Sequence, residues 1–176
     1  MKKSLIVSVL SSVMLLSGVA AADNTSLAVG ANIDISAPSG AAVGLDLQLP
    51  YVHWAKVGVS ATYLFAPGVR GNILLDPIKF PVAPVLNFDL GYQSSFKLPS
   101  TDKSPDISWT YEDIQGGLAF GSREGFRFLL LGGITHLDGS ASNFQNTVKT
   151  SNGITVGSPT FQVWVPSARL GIVWIF

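Results

Sequence analysis

The chain of 176 residues contains no cysteine. That excludes disulfide stapling, thiol nucleophiles and the thiol-linked lipid anchor of a lipoprotein. Charge is also scarce: Asp, Glu, Lys and Arg make up 12% of residues, whereas a water-facing surface alone usually carries roughly 25–35%. Histidine occurs twice, and no spacing resembles a zinc site. Walker and dinucleotide-binding glycine patterns are missing. Asp102 and Asp106 offer too few hard ligands for a calcium loop. Beyond residue 22 no run approaches the ~20 apolar residues that a membrane helix needs. Mean hydropathy is nevertheless +0.39.

What is present begins with Met1-Lys2-Lys3, an apolar run over Leu5–Leu16, and Ala20-Ala21-Ala22. A short basic start, a hydrophobic stretch too short to be an anchor and a small-residue site predict a secretory signal peptide over 1–22. Residues 23–176 then form one domain. Without Lys2 and Lys3, nine basic residues face eleven acidic ones, so no nucleic-acid footprint is present. A chain that is apolar overall yet lacks apolar runs fits a transmembrane β-barrel, where every second residue points inward and dilutes the signal.

Period-two alternation supports that reading along the whole chain. Leu27–Ile35 alternates Leu27, Val29, Ala31, Ile33 and Ile35 against Ala28, Gly30, Asn32 and Asp34. Ala41–Leu49, Ala55–Phe65, Val69–Pro77, Val85–Phe96, Trp109–Gly121 and Phe126–Leu137 follow, and a strand from Val165 to Phe176 makes eight. Placing Arg127 inward fixes the ambiguous register of the seventh. The connections Ser36–Gly40, Pro50–Trp54, Ala66–Gly68, Pro77–Pro84, Leu98–Ile107, Ser122–Gly125 and Asp138–Pro159 carry turn chemistry or are polar. Nine of the ten prolines fall in connections on this reading, with Pro166 the exception, expected near a strand end or a bulge. Aromatic residues gather at two levels, as headgroup-level girdles would. Tyr51, Trp54, Phe80, Phe120, Phe126, Trp174 and Phe176 mark one level; Phe65, Tyr92, Phe96, Trp109, Tyr111, Phe161 and Trp164 mark the other.

The C-terminal strand presents Leu170, Ile172, Trp174 and Phe176 on one face, with Arg169 and Ser167 on the other. It resembles the last strand of bacterial outer-membrane β-barrels, in which a terminal Phe belongs to the signal read by the barrel-assembly machinery. With eight strands, the whole domain resembles the small outer-membrane barrels of OmpA/OmpX/OmpW-like architecture. The resemblance implies an all-β, antiparallel, up-and-down transmembrane barrel in a Gram-negative outer membrane. It implies that both termini and the short connections are periplasmic, that the long polar loops face outward, and that lipid and lipopolysaccharide are its surroundings. The family includes anchors, attachment proteins, porin-like narrow channels and a few lipid A-modifying enzymes.

By parity, Asp34, Asp46, Asp76, Asp89 and Asp113 point inward with Arg70, Arg127 and Arg169. An eight-stranded barrel is just wide enough to be filled by its own side chains, and charges confined there must pair. Arg169 is expected opposite Asn32 and Asp34, with Asp46 and Asp89 further round. The leading expectation is a non-enzymatic barrel with a plugged lumen and a structural or surface-interaction role. A narrow channel for small or hydrophobic solutes is the alternative. A lipid A enzyme is third, because the residues after His136 (Asp138, Ser140, Ser142) do not match the histidine–serine spacing of barrel-type deacylases. No cofactor, metal or catalytic residue is implied.

Overall fold

The computed structural model describes residues 27–97, 106–142 and 159–176; the proposed signal peptide lies outside them. Eight antiparallel strands form a closed barrel in sequence order. They are β1 (Ala28–Ala37), β2 (Gly40–Gln48), β3 (Ala55–Leu64), β4 (Ala66–Leu75), β5 (Val82–Lys97), β6 (Asp106–Gly121), β7 (Phe126–Ser142) and β8 (Thr160–Ile175). β8 closes on β1 from Gly30↔Ile175 to Ala37↔Ala168. Among the described residues no helix is long and apolar enough to cross a membrane, which says nothing of crossing by strands.

Alternation drives the closure. Ile33, Ile35, Val59, Leu90, Leu130 and Leu170 are exposed on the outer wall, while Asn32, Asp34, Ser60, Asp89 and Arg169 between them are buried. A sheet with polar groups on one face and apolar groups on the other is stable in water only if the apolar face is covered. Curling the polar face inward and presenting the apolar face to hydrocarbon solves both problems. On β7 the apolar outward stretch runs from Phe126 to Ile134, and on β8 from Pro166 to Trp174. Each stretch is close to the ~9–11 residues of a tilted membrane-crossing strand.

Leu27, Phe176 and three connections (49–54, 76–81 and 122–125) lie at one end of the barrel. The opposite end carries the two-residue turn Pro38-Ser39, Phe65, and the strand ends at Lys97, Asp106, Ser142 and Thr160. Strand heights differ sharply. β1–β4 have 9 or 10 residues, whereas β5–β8 have 16 or 17.

Several expected boundaries need correction. Ala66-Pro67-Gly68 is not a turn but the start of β4; the chain reverses at Phe65 alone, with φ 62°. Gly40 takes φ 75° at a bulge where Gly40 and Ala41 both face Tyr63, and a Cβ there would run into the Tyr63 carbonyl. β5 begins at Val82, inside the expected 77–84 connection. β6 begins at Asp106, β7 continues to Ser142, and β8 begins at Thr160 rather than Val165. Prolines therefore enter strands three times, at 67, 84 and 166, and not once. Each sits where its strand has a neighbour on one side only. The β4–β5 ladder spans Gly68↔Gln93 to Leu75↔Leu86, and the β8–β1 ladder stops at Ala168. The missing N–H thus costs no ladder bond.

Candidate functional site: the barrel lumen

The structure buries all eight ionisable residues singled out by parity: Asp34, Asp46, Asp76, Asp89, Asp113, Arg70, Arg127 and Arg169. It does not bring them into one group. The central cluster draws one residue from each of β1, β4, β5 and β8. Arg70 grips Asp34 with both terminal nitrogens, Nη1 to Oδ1 at 2.9 Å and Nη2 to Oδ2 at 2.5 Å. Arg169 Nη2 donates to the same Asp34 Oδ2 at 2.8 Å, and its Nη1 lies 3.4 Å from both Asp89 oxygens. Arg70 Nε is 4.0 Å from Asp89 Oδ1. Two guanidinium groups and two carboxylates thus balance in charge, and Ser36, Ser39 and Ser60 accept further contacts from Arg70. Fork-shaped pairs of this kind fix orientation as well as charge.

Asp46 and Asp113 stand apart from this cluster. Asp46, expected further round the lumen from Arg169, is held by amides: Asn32 Nδ2 donates at 2.8 Å and Asn72 Nδ2 at 3.4 Å. Ser167 Oγ donates to Asp113 at 2.6 Å, and Gln115 and Asn87 continue that chain across the lumen.

A second ionic group lies toward the end that carries Leu27 and Phe176. Arg127 Nη2 donates to Asp76 Oδ1 at 2.9 Å, and Lys56 Nζ lies 3.7 Å from Asp76 Oδ2. Arg127 Nη1 also donates to the carbonyls of Phe80 and Gly121, at 2.8 and 2.5 Å, tying two connections together. Beside this group sits a dry layer of Ala28, Leu74, Val85, Ala119, Leu129, Leu131, Val173 and Ile175. An unbroken polar path along the lumen would have to pass both layers.

Sequence reasoning missed Lys56, which is fully buried. Its parity with Gly58 was the available signal. Tyr111, Trp109 and Phe161 need correction: they were expected in a lipid-facing girdle, but they share the lumen-facing parity of Asp113 and Val165. Tyr111 is buried with its ring against Gly91, where a Cβ would collide with it. Phe161 packs its ring over Gly139 in the same way. Tyr63, Phe65, Tyr92 and Trp164 are the outward aromatics at this level, and Tyr51, Trp54, Phe80, Phe126 and Trp174 are exposed at the other. His136 points outward onto Trp164, with ring centroids 4.8 Å apart; its cross-strand neighbour on β6 is Glu112. His53 lies in the 49–54 connection, where its carbonyl accepts from Gln48. Among the described residues no three His, Asp or Glu converge as metal ligands would. The terminal residues of the expected assembly signal, Leu170, Ile172 and Trp174, face outward. Phe176 meets Trp174 edge to face with ring centroids 4.8 Å apart, and its N–H bonds to the Val29 carbonyl at 2.9 Å.

A closed, eight-stranded, antiparallel barrel with an apolar wall and a polar filling has the architecture of the small outer-membrane barrels. No family model and no curated protein matches the sequence. Among solved structures the chain is similar to the N-terminal β-barrel domain of OprF from Pseudomonas aeruginosa. That match has 13% identity and a TM-score of 0.45, and covers 85% of this chain and 97% of that one.

Proposed function

We propose that this protein is an integral outer-membrane barrel, with both termini periplasmic, whose lumen is a plug rather than a path. Its role on this reading is structural or surface-interacting and not catalytic. The observation that carries the reading is the ion pairing inside the filling. Asp34 and Asp89 neutralise Arg70 and Arg169, Asp76 pairs with Arg127 and lies 3.7 Å from Lys56, and an apolar layer lies alongside. Groups that already hold each other leave little to offer a solute in transit. The outer wall supports the location, because exposed apolar side chains cover a band one membrane-crossing strand tall, edged by aromatics. The eight lumen residues serve stability, and the outward face of the last strand serves recognition by the assembly machinery.

Planar-bilayer recording tests the proposal. The protein should be electrically silent, and Arg169→Ala should lower its unfolding stability without opening it. Discrete conductance steps in the unaltered protein that change size or ion preference in Arg169→Ala would replace the plug with a narrow channel. Altered lipid A in cells producing the protein, read by mass spectrometry, would replace it with an enzyme.

A further inference from the structure

Three strands of the tall half, β6–β8, reverse their polarity as they rise above the apolar band. On β6 the outward residues change from Ile114 to Glu112 and Thr110, while the inward ones change from Asp113 to Tyr111 and Trp109. On β8 the outward residues change from Leu170 and Pro166, past the exposed ring of Trp164, to Gln162, and the inward ones from Arg169 and Ser167 to Val165 and Val163. On β7 Thr135 gives way inside to Leu137, and Ile134 gives way outside to His136 and Asp138. The pairing of β6, β7 and β8 shows no register shift through this region, so parity is preserved and the reversal is real. The outside of this upper sheet suits water. Its inside is an apolar cradle of Trp109, Tyr111, Leu137, Val163, Val165 and Phe161 placed above a charged lumen.

The wall opposite the cradle is low. β1 ends at Ala37, and the first eight residues of β8, Thr160–Ser167, have no β1 partner. Through that gap the apolar surface is continuous. Ile35 and Leu170 of the lipid-facing band lead past exposed Pro166 to Val165 and Val163. None of the six cradle residues is charged and their only polar side-chain atoms are Trp109 Nε1 and Tyr111 Oη, so a sugar or peptide seated there would leave most of its polar groups without partners. A hydrocarbon chain has none to satisfy. We infer that the cradle takes the acyl chain of a lipid from the adjacent membrane leaflet, led over the low rim beside β8. This deepens the surface-interaction reading and rests on the membrane placement proposed above.

The test reads tryptophan quenching by brominated acyl chains, which acts only at short range. Two forms of the full protein are placed in nanodiscs of phosphatidylcholine brominated near mid-chain. One retains only Trp109 (Trp54→Phe, Trp164→Phe, Trp174→Phe); the other retains only Trp174 (Trp54→Phe, Trp109→Phe, Trp164→Phe). Trp174, within the apolar band, reports on membrane placement. Trp109 lies five residues beyond Ile114, above the band, and bromine reaches it only if a chain enters the cradle. Both forms should lose emission relative to unbrominated nanodiscs. Adding Val163→Asp, which sets a charge on the cradle, should abolish the loss at Trp109, whereas outward Thr110→Asp should not. Quenching of Trp174 without Trp109 would overturn the inference and leave the membrane reading intact, with the cradle open to water or covered by the chain itself. The inference fails equally if Val163→Asp leaves Trp109 quenching unchanged. Absence of quenching at Trp174 would remove the membrane placement, and the inference with it.

Discussion

The two halves of the barrel, β1–β4 and β5–β8, obey one rule inside the apolar band and part company above it. Within the band both halves place apolar groups outside and polar groups inside. The short half then turns back at once, through Pro38-Ser39 and Phe65. The strands of the tall half continue for another six or seven residues; β6–β8 invert the pattern there, whereas β5 keeps Tyr92 outside and Gln93 inside. The difference teaches that alternation by itself does not say which face is wet. That is set by the surrounding solvent, which changes from hydrocarbon to water at the top of the band.

The halves are held together by the central cluster, since Asp34 and Arg70 belong to the short half and Asp89 and Arg169 to the tall one. The largest predicted effect follows from this. Asp34→Ala removes the carboxylate shared by both arginines and leaves them buried, at a cost of roughly 3–5 kcal/mol. Arg169→Ala should cost less, because Arg70 still neutralises Asp34. Urea unfolding in lipid vesicles would rank them, and equal small losses would show that the halves are joined by the ladders alone.

Proline sharpens the comparison next. Leu170 pairs with Ile35 across the β8–β1 seam, so Leu170→Pro should cost about 3 kcal/mol or more. Pro166→Ala, four residues up the same strand but beyond β1, should stay within about 0.5 kcal/mol. Similar losses at both would mean that β8 is partnered along its full length.

Deleting Phe176 acts on the same seam by another route. It removes the N–H bond to Val29 and the aromatic that resembles the assembly signal. Poor insertion and periplasmic accumulation under high expression are expected, measured as the fraction of protein recovered in outer membranes. Normal recovery would sink the signal role.

The smallest effect belongs to the end where the halves look alike. Lys79 Nζ lies 2.6 Å from Glu124, joining two connections, and both side chains are largely exposed. The hydrogen bond from Lys79 holds the Glu124 carboxyl below its usual range. Its small contribution is present above the unfolded pKa and is lost as pH falls through the folded one. Screening by solvent keeps it below about 1 kcal/mol. Glu124→Gln should therefore barely shift the unfolding midpoint at neutral pH, and the difference should vanish in acid.

The strands of the band were legible because period two is enforced by two opposed solvents. Even Arg127, inside a nearly continuous apolar run, could be aimed correctly by refusing it to lipid. Strand ends were less legible. Asp138–Ser142 read as loop because polar composition was equated with irregular backbone, and Thr160–Trp164 was assigned to neither loop nor strand, whereas both are strand. Trp109, Tyr111 and Phe161 were aimed outward because aromatic residues at girdle height invite that reading. Lys56 escaped notice beside a turn. Pairing was not legible at all: that Arg169 meets Asp34 and Asp89 and misses Asp46 depends on strand tilt and stagger, which no single strand encodes.

The seam between β1 and β8 also sets a timetable. Every other ladder joins neighbours in sequence and can form as successive hairpins, while this one joins the two ends of the barrel. The bond from Arg169 to Asp34 spans 135 residues, against 36 for the bond from Arg70 to the same carboxylate. Through most of folding, then, Arg169 and Asp89 have each other but lack the short half. Burying such an incomplete group is unfavourable, and only closure completes it. The cluster thereby makes the last step of folding all-or-none, penalising a nearly finished barrel and favouring a sealed one.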